Sequence, residues 1–563
     1  MNPFNMKNNV IYSSLALLLI FTGAITLTGC KTTEKPEVFK PIDYTEEDAV
    51  LDEIESIRDL SETQIIKALW KSSILLEKVP ENTEVQNLFN FIKEKSIQEL
   101  ESERKKAKEE SSSIREKLNA QKLYDSMKAV LKDSEKIEKT EIDISEVPGL
   151  NSSGKEKNKA KVSELIKGTV TVYVDKGIKI EKGMGYTDAV LGSGFFISSD
   201  GYIVTNHHVI EDMVEKKSKG YSRLYIKLAE DPDTRIPAKV IGWDSTLDLA
   251  LIKTEVEAPY VFTLGSSKDL DTGDRVYAIG SPLGLDRTLT SGIISAKDRR
   301  LFTAGTVFQV DAAVNSGNSG GPLIDEYGRV QAIVFAGVQN YQGLNFAIPV
   351  EYLKSSLPFL YAGGEREHPW IGSYGRTQRE PGSGRANEGL TINYTLPGGS
   401  ANYSGLKEDM TIIKLNDTPI TSLDDFQIKA MSLEADSIVR ITTKDEKNEL
   451  KEFPVYLDKR PSSPGYEVYK HDLLKDALLP ILGMQMVHAS SSSSKHYAIT
   501  KILKSSIADE AGFSETDPVD ILNVQLNEDK SAIYIELYAK KRKNGFLDVS
   551  IGLSASLDSP YYF

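Results

Sequence analysis

At 563 residues the chain has room for roughly three to four domains of about 100 to 200 residues, and its 40% apolar content is ordinary for globular protein. The 68 Lys and Arg against 82 Asp and Glu leave a net charge of −14, the wrong sign for gripping phosphate backbones, so nucleic acid is set aside as a partner. The single cysteine, Cys30, leaves no intramolecular disulfide, so any barrel in this chain is held by core packing alone.

Residues 1–29 pass from a short polar stretch carrying Lys7 into the apolar run IYSSLALLLIFTGAITLTG, the layout of a secretory signal rather than of a membrane span. Cys30 follows at once, and Leu27-Thr28-Gly29-Cys30 resembles the bacterial lipobox. That resemblance implies lipidation of Cys30 and attachment to a membrane through the lipid, on the periplasmic face of the inner or outer membrane or at the cell surface. Lys31 follows the cysteine where an Asp would bear on sorting, and the choice of membrane stays open.

Residues 30–150 form the next region. From about 44 to 140 it is dense in Glu, Lys, Leu and Ile, and AVLDEIESI, ETQIIKALWKSSILLEKV and AQKLYDSMKAVLKD carry apolar residues at helical spacing. Pro80-Glu81-Asn82 breaks the pattern. Helices joined by short turns could form hairpins like tetratricopeptide repeats, but no 34-residue period is evident, and a helical spacer or oligomerisation stalk is the plainer expectation. The polar run at 151–161, NSSGKEKNKAK, reads as a solvated linker and a domain boundary.

Beyond it, over 162–360, the pattern changes to short alternating strands such as TVTVYV (169–174), RLYIKLA (223–229) and RVYAIG (275–280), which argues for an all-β unit. Within it VNSGNSGGPLI sets Ser319 between glycines, where a tight turn can converge backbone N–H groups on one point. A serine nucleophile needs a general base near neutrality, and only His207 and His208 of six histidines fall in this region. Adjacent side chains diverge, so one of the two faces the cleft, and periodicity does not choose between them.

The segment GSGFFISSDGYIVTNHHVI (192–210) resembles the HtrA/Deg protease motif Thr-Asn-x-His-Val, and this resemblance selects His208. DLALIK (248–253) matches the family's Asp-Leu-Ala-Leu strand start, which points to Asp248, with Asp244 in reserve. The order His208, Asp248, Ser319 is that of the chymotrypsin-like double β-barrel. SPLGL (281–285), LTSGIIS (289–295), VDAAVNSGNSGGPLI (310–324) and GLNFAIP (343–349) extend the match over nearly the whole β region. The insert EDMVEKKSKGYSRLYIKLAEDPDTR between His208 and Asp248 reads as an enlarged surface loop. The resemblance further implies an oxyanion hole from Gly317 and Ser319 with help from Asn318, and no metal or organic cofactor. It implies a primary pocket at Ala313 and Val314 suited to small aliphatic residues, and trimers built through the protease domains.

Residues 368–460 resemble a PDZ domain, with Trp370, Ile371, Gly372 and Ser373 in the loop expected to capture a peptide C-terminus. Residues 465–563 look like a second, more divergent copy that restarts at Leu482-Gly483. Its segment VHASSSSSKHYA is too polar for a core strand throughout, and His488 and His496 beside it do not make a metal site. The sequence closes on Ser-Pro-Tyr-Tyr-Phe, whose apolar last residue is of the type PDZ grooves accept; a simple terminal edge is the plainer expectation.

The expected fold is multidomain: an N-terminal α-helical region, a chymotrypsin-like double β-barrel and two PDZ-like α+β domains. The expected function is ATP-independent serine endoproteolysis of unfolded or misfolded envelope proteins. The alternatives are a non-proteolytic chaperone or peptide-binding scaffold and a regulatory protease for one signalling protein.

Overall fold

A computed structural model describes residues 39–563 apart from 40, 110, 132–146, 151–160, 182, 216–221, 281–287, 301–304, 315–316, 338–343, 379–388, 446, 490–495 and 542–546. The signal segment, Cys30, most of the linker and SPLGL lie outside the described residues. No described helix is long and apolar enough to cross a membrane.

Four helices open the described chain: α1 (Glu47–Thr63), α2 (Ile65–Lys78), α3 (Thr83–Ala107) and α4 (Ile114–Val130). Asn82 caps α3 by accepting from the N–H groups of Glu84 and Val85, which is why the chain turns at Pro80-Glu81-Asn82. Ser113 and Glu116 form a reciprocal capping box on α4. The expected stalk is instead a bundle seated on the back of the first PDZ-like unit. The Trp70 indole of α2 donates to Pro454 O at 3.0 Å and stacks 5.5 Å from Tyr456. Arg440 reaches the carbonyls of Lys128 and Ala129 at the end of α4, at 2.7 and 3.2 Å. Apolar faces that period alone leaves unassigned are therefore buried in a common core with Ile438 and Tyr456.

After a short helix, α5 (Val162–Lys167), come β1 (Thr169–Glu181), β2 (Met184–Phe196), β3 (Tyr202–Thr205), helix α6 (His207–Val214), β4 (Arg223–Lys227), β5 (Ile236–Asp244) and β6 (Leu249–Thr254). They pair in the order β5-β4-β1-β2-β3-β6, and β5 also pairs with β6, closing a six-stranded barrel. The insert read as a surface loop thus supplies a barrel strand, β4, whose Leu224 and Ile226 alternate inward. A second closed barrel has β7 (Arg275–Gly280), β8 (Thr288–Arg299), β9 (Val307–Val310), β10 (Pro322–Ile324), β11 (Val330–Gly337) and β12 (Asn345–Pro349).

Helix α7 (Val350–Ala362) then lies across β5, where Gly242 admits it: a Cβ there would collide with the Leu360 carbonyl. Residues Gly364–Glu365 pair in parallel with β5, and Arg366 N–H donates to Trp243 O at 2.8 Å. This strap delivers Arg366 and His368 into the protease domain.

The first PDZ-like unit has strands Ser373–Arg376, Leu390–Thr395, Thr411–Leu415, Ser437–Lys444 and Leu450–Lys459, with helix Leu423–Ala430 inserted before Ser437. The second unit has two leading helices, Pro464–His471 and Leu474–Leu482. Five antiparallel strands in sequential order follow: Met484–His488, His496–Ile502, Pro518–Leu526, Ala532–Lys541 and Leu547–Ser556. Both units turn on the same device. Gly372 and Gly483 have φ of 78° and 82°, a conformation that favours glycine, and their carbonyls accept from Leu396 and Leu503 N–H at 2.7 and 2.8 Å. Between Leu526 and Ala532, however, there is only a turn, so the second unit has no counterpart of helix Leu423–Ala430.

The last residues are not a simple terminal edge. Tyr562 and Phe563 are 3% and 6% exposed, and the segment pairs antiparallel with Ser373–Arg376 of the first unit.

Candidate active site

The candidate base is carried by α6, which opens directly after β3. His207 and His208 are its first two residues, and Asn206 before them is fully buried. Asn206 Nδ2 donates to the Asp248 carbonyl at 2.7 Å. Asp248 sits at the hairpin from β5 to β6 with φ of 54°, a left-handed conformation that this clamp helps to hold. Both its carboxylate oxygens serve His208: Oδ1 accepts the His208 backbone N–H at 2.8 Å, and Oδ2 lies 2.8 Å from Nδ1. Nδ1 is thereby the protonated nitrogen of the neutral ring, and Nε2 keeps its lone pair for a proton. Burial pulls the His208 pKa down, but the hydrogen bond and charge of Asp248 outweigh it and the net shift is upward from 6.5. Among the described residues no carboxylate hydrogen-bonds His207.

Ser319 lies in the turn leading into β10 of the second barrel, and this turn is tied to the first. Ser193 Oγ donates to Gly317 O at 2.6 Å, Ser193 N–H donates to Ser319 O at 2.7 Å, and Thr205 Oγ1 donates to Ser193 O at 2.7 Å. Gly317 and Gly320 have φ of 105° and 85°, and a Cβ on Gly320 would strike the Ser193 carbonyl and Thr205. The glycines around the nucleophile thus let two barrels meet backbone to backbone. The Ser319 hydroxyl donates to Phe335 O at 3.2 Å, and no hydrogen bond joins it to His208. His208 and Asp248 line one cavity with Leu247, Phe335, Ile348 and Tyr352, and Ser319 is linked to it through its hydrogen bond to the Phe335 carbonyl.

The remaining sequence-selected residues divide. Asn318 is 2% exposed and its Oδ1 abuts Gly280, so its side chain packs beneath the turn and is not offered to an oxyanion. Ala313 is exposed, Val314 is half-buried, and the Ala313 carbonyl accepts from Thr290 Oγ1 at 2.9 Å. Asp244, the reserve for the triad, is fully buried and paired elsewhere. His368 Nε2 lies 2.8 Å from its Oδ1, Leu247 N–H donates to Oδ1 at 2.9 Å, and Arg366 stands 3.8 Å from Oδ2. Burial alone would raise the Asp244 pKa, but His368 and Arg366 hold it at about 2. Burial also pushes His368 below 6.5, against the pull of Asp244.

In the first PDZ-like unit Ile371 belongs to that unit's apolar core, whereas Trp370 packs toward the second unit. Sequence reasoning missed Ser193, Thr205 and Asn206 as supports, although the matched motif contains all three. It also passed over Gly375, Phe426 and Gln427, which pack around the closing residues 560–563 and for which no local pattern speaks.

Two closed barrels, a His–Asp pair on the first and a glycine-flanked serine on the second define a trypsin-like serine peptidase domain. Comparison with known proteins agrees. A trypsin-like peptidase domain matches residues 192–333, a TP0546 family PDZ domain matches 465–557, and a domain of unknown function, DUF8517, matches 48–147. The putative serine protease HhoB of Synechocystis sp. is 35% identical over 254 residues, 42% of this chain and 59% of that protein. A probable periplasmic serine endoprotease DegP-like of Ectopseudomonas mendocina is 37% identical over 239 residues, 41% of this chain and 48% of that protein. The chain thus spans about half the length of the curated relatives it matches. Among solved structures, an HtrA-type protease AlgW with decapeptide is 24% identical with a TM-score of 0.43, covering 53% of this chain and 98% of that one. Residues 192–333 are thus a trypsin-like peptidase domain, and the chain is similar to HtrA/Deg-type serine proteases over the part it shares with them.

Proposed function

We propose that this chain is an envelope serine endopeptidase that hydrolyses unfolded or misfolded protein without ATP. The observation that carries the reading is the bidentate hold of Asp248 on His208 in a cavity lined by Phe335, whose carbonyl accepts from the Ser319 hydroxyl. In the reaction Ser319 Oγ attacks the scissile carbonyl while His208 Nε2 takes its proton, and Asp248 stabilises the imidazolium. The backbone N–H groups of Gly317 and Ser319 steady the oxyanion. His208 returns the proton to the leaving amine, and water then cleaves the acyl-enzyme by the same base. Ala313 and Val314 carry no charge for a basic side chain, which supports small aliphatic residues before the cut.

The Ser319 hydroxyl is turned to Phe335 O, so the arrangement supports a resting enzyme with an assembled His–Asp pair and a serine that must leave this carbonyl to complete the triad. A scaffold that binds peptides without turnover is the competing reading. Attachment through a lipid on Cys30 and trimerisation through the protease domain belong to the same proposal.

The test is cleavage of an unfolded casein-type substrate by the chain beside Ser319→Ala and His208→Ala. Loss in both variants, with cuts after small aliphatic residues, supports the reading; cleavage surviving Ser319→Ala refutes it.

A further inference from the structure

Strand alternation puts Tyr561 and Phe563 on one side of the closing segment and Tyr562 on the other. Phe563 and Ser373 exchange both main-chain hydrogen bonds at 2.9 Å, and Gly375 N–H donates to Tyr561 O at 3.1 Å, so the segment adds a strand to the edge Ser373–Arg376. The Phe563 side chain lies in one apolar cluster with Ile371, Leu423 and Phe426, its ring 4.9 Å from that of Phe426. Gln427, on the same helix as Phe426, donates through Nε2 to Pro560 O at 2.5 Å. Gly375 leaves room for the ring: a Cβ there would stand 3.0 Å from its edge. Tyr562 faces the other way, against Tyr374 and into the core shared with the second unit. Asp558, just upstream, is pinned by Arg460 at 2.5 Å.

A PDZ groove receives an extended peptide through a strand edge, a main-chain N–H at its loop and an apolar pocket for the last side chain. Here all three are taken by residues of the same chain. We propose that residues 560–563 are an intramolecular ligand of the first PDZ-like groove, and that a peptide ending in an aromatic residue enters only by displacing them. The proposal rests on reading residues 368–460 as a peptide-binding unit and is independent of catalysis. The second unit, which has no groove helix of its own, serves in this account as the mount that presents the segment. Its last strand ends at Ser556, so the tether is short and the local concentration of the segment is about millimolar or higher. A free peptide of the same chemistry competes against that concentration until the segment is disabled.

The test uses the full chain carrying Ser319→Ala, so that nothing is cleaved, titrated into a fluorescein-labelled peptide Asp-Ser-Pro-Tyr-Tyr-Phe. Adding Phe563→Ala to the chain is expected to tighten binding about tenfold or more. Equal affinities, or no binding by the Phe563→Ala chain, would overturn the proposal. Hydrogen exchange supplies a readout that needs no groove variant. Without peptide, the Ser373 and Gly375 amides of the Ser319→Ala chain are expected to be protected at every protein concentration. Exchange at the rate of exposed amides would show the groove open, and protection that appears only at high concentration would place a second copy's segment there. Either result contradicts the intramolecular ligand.

Discussion

Two histidine–aspartate pairs lie near each other in this protein, built with the same 2.8 Å separation and put to opposite uses by burial. His208 and Asp248 keep 42% and 26% of their side-chain exposure, whereas His368 and Asp244 keep 6% and 0%. The open pair leaves Nε2 facing a cleft, where a proton can come and go. The closed pair is walled in by Arg366 and Ser356 and ties the PDZ strap to the end of β5. Distance alone does not make a catalytic dyad; access to the second ring nitrogen does.

The largest expected difference is in turnover. Asp248→Asn should lower the rate of peptide hydrolysis by about 10⁴-fold, because the imidazole loses the partner that fixes its tautomer. Asp244→Asn should stay within about tenfold of the parent for the folded fraction, since it touches no reacting atom. Assay of both against the casein-type substrate checks the assignment, and a reversed ranking would exchange the roles of the two carboxylates.

Stability should rank the pairs the other way. Asp244→Ala leaves a buried guanidinium without its carboxylate and should cost about 3–5 kcal/mol in urea unfolding. Asp248→Ala removes a partly exposed carboxylate and should cost no more than about 1 kcal/mol. Equal losses would mean that the buried cluster is not the structural tie described above.

The two pairs should also respond oppositely to pH. His208 is shifted above 6.5, so its contribution to stability is complete below 6.5 and is lost as pH rises through the folded value. His368 is shifted below 6.5, so the unfolded chain binds more protons and stability falls as pH drops below 6.5. Asp244, with a pKa of about 2 against an ordinary 3.8, adds a further loss between those values. Thermal unfolding from pH 8 to 3 should show the acid loss, reduced in His368→Gln. Hydrolysis should fall on acidification with a midpoint above 6.5, and Asp248→Asn should move the midpoint of the residual activity downward. A smaller effect than that of Asp248→Asn is expected from Asn206→Ala, which frees the Asp248 backbone. A drop of about tenfold in kcat with KM little changed would mark Asn206 as a positioning residue.

The choice between these carboxylates shows what could be read before the fold was known. Glycines around Ser319 and the Thr-Asn-x-His-Val segment are local features, so a candidate nucleophile could be named from the residues and a candidate base from the resemblance, without contacts. Asp244 and Asp248 flank one hairpin; the Asp-Leu-Ala-Leu resemblance favours Asp248, but only the folded strap, arriving from residues 364–368, shows what Asp244 pairs with instead. The missing helix of the second PDZ-like unit was not read from the sequence: it follows from where the strands Pro518–Leu526 and Ala532–Lys541 end and begin. The docking of α2 and α4 on the first unit was not legible either, because an apolar helical face states that it is buried and not against what. The closing Tyr-Tyr-Phe had the chemistry of a groove ligand, but its groove is built largely from residues about 130 to 190 positions away, beyond the reach of sequence pattern.

The central claim is that Ser319 is a nucleophile activated by His208. Its most direct test is labelling of the folded chain with a fluorophosphonate, followed by intact mass and peptide mapping, with and without the Tyr-Tyr-Phe peptide. One adduct on Ser319, absent in His208→Ala, is the predicted result. A folded chain that takes up no label in either condition, or is labelled equally well without His208, would contradict it.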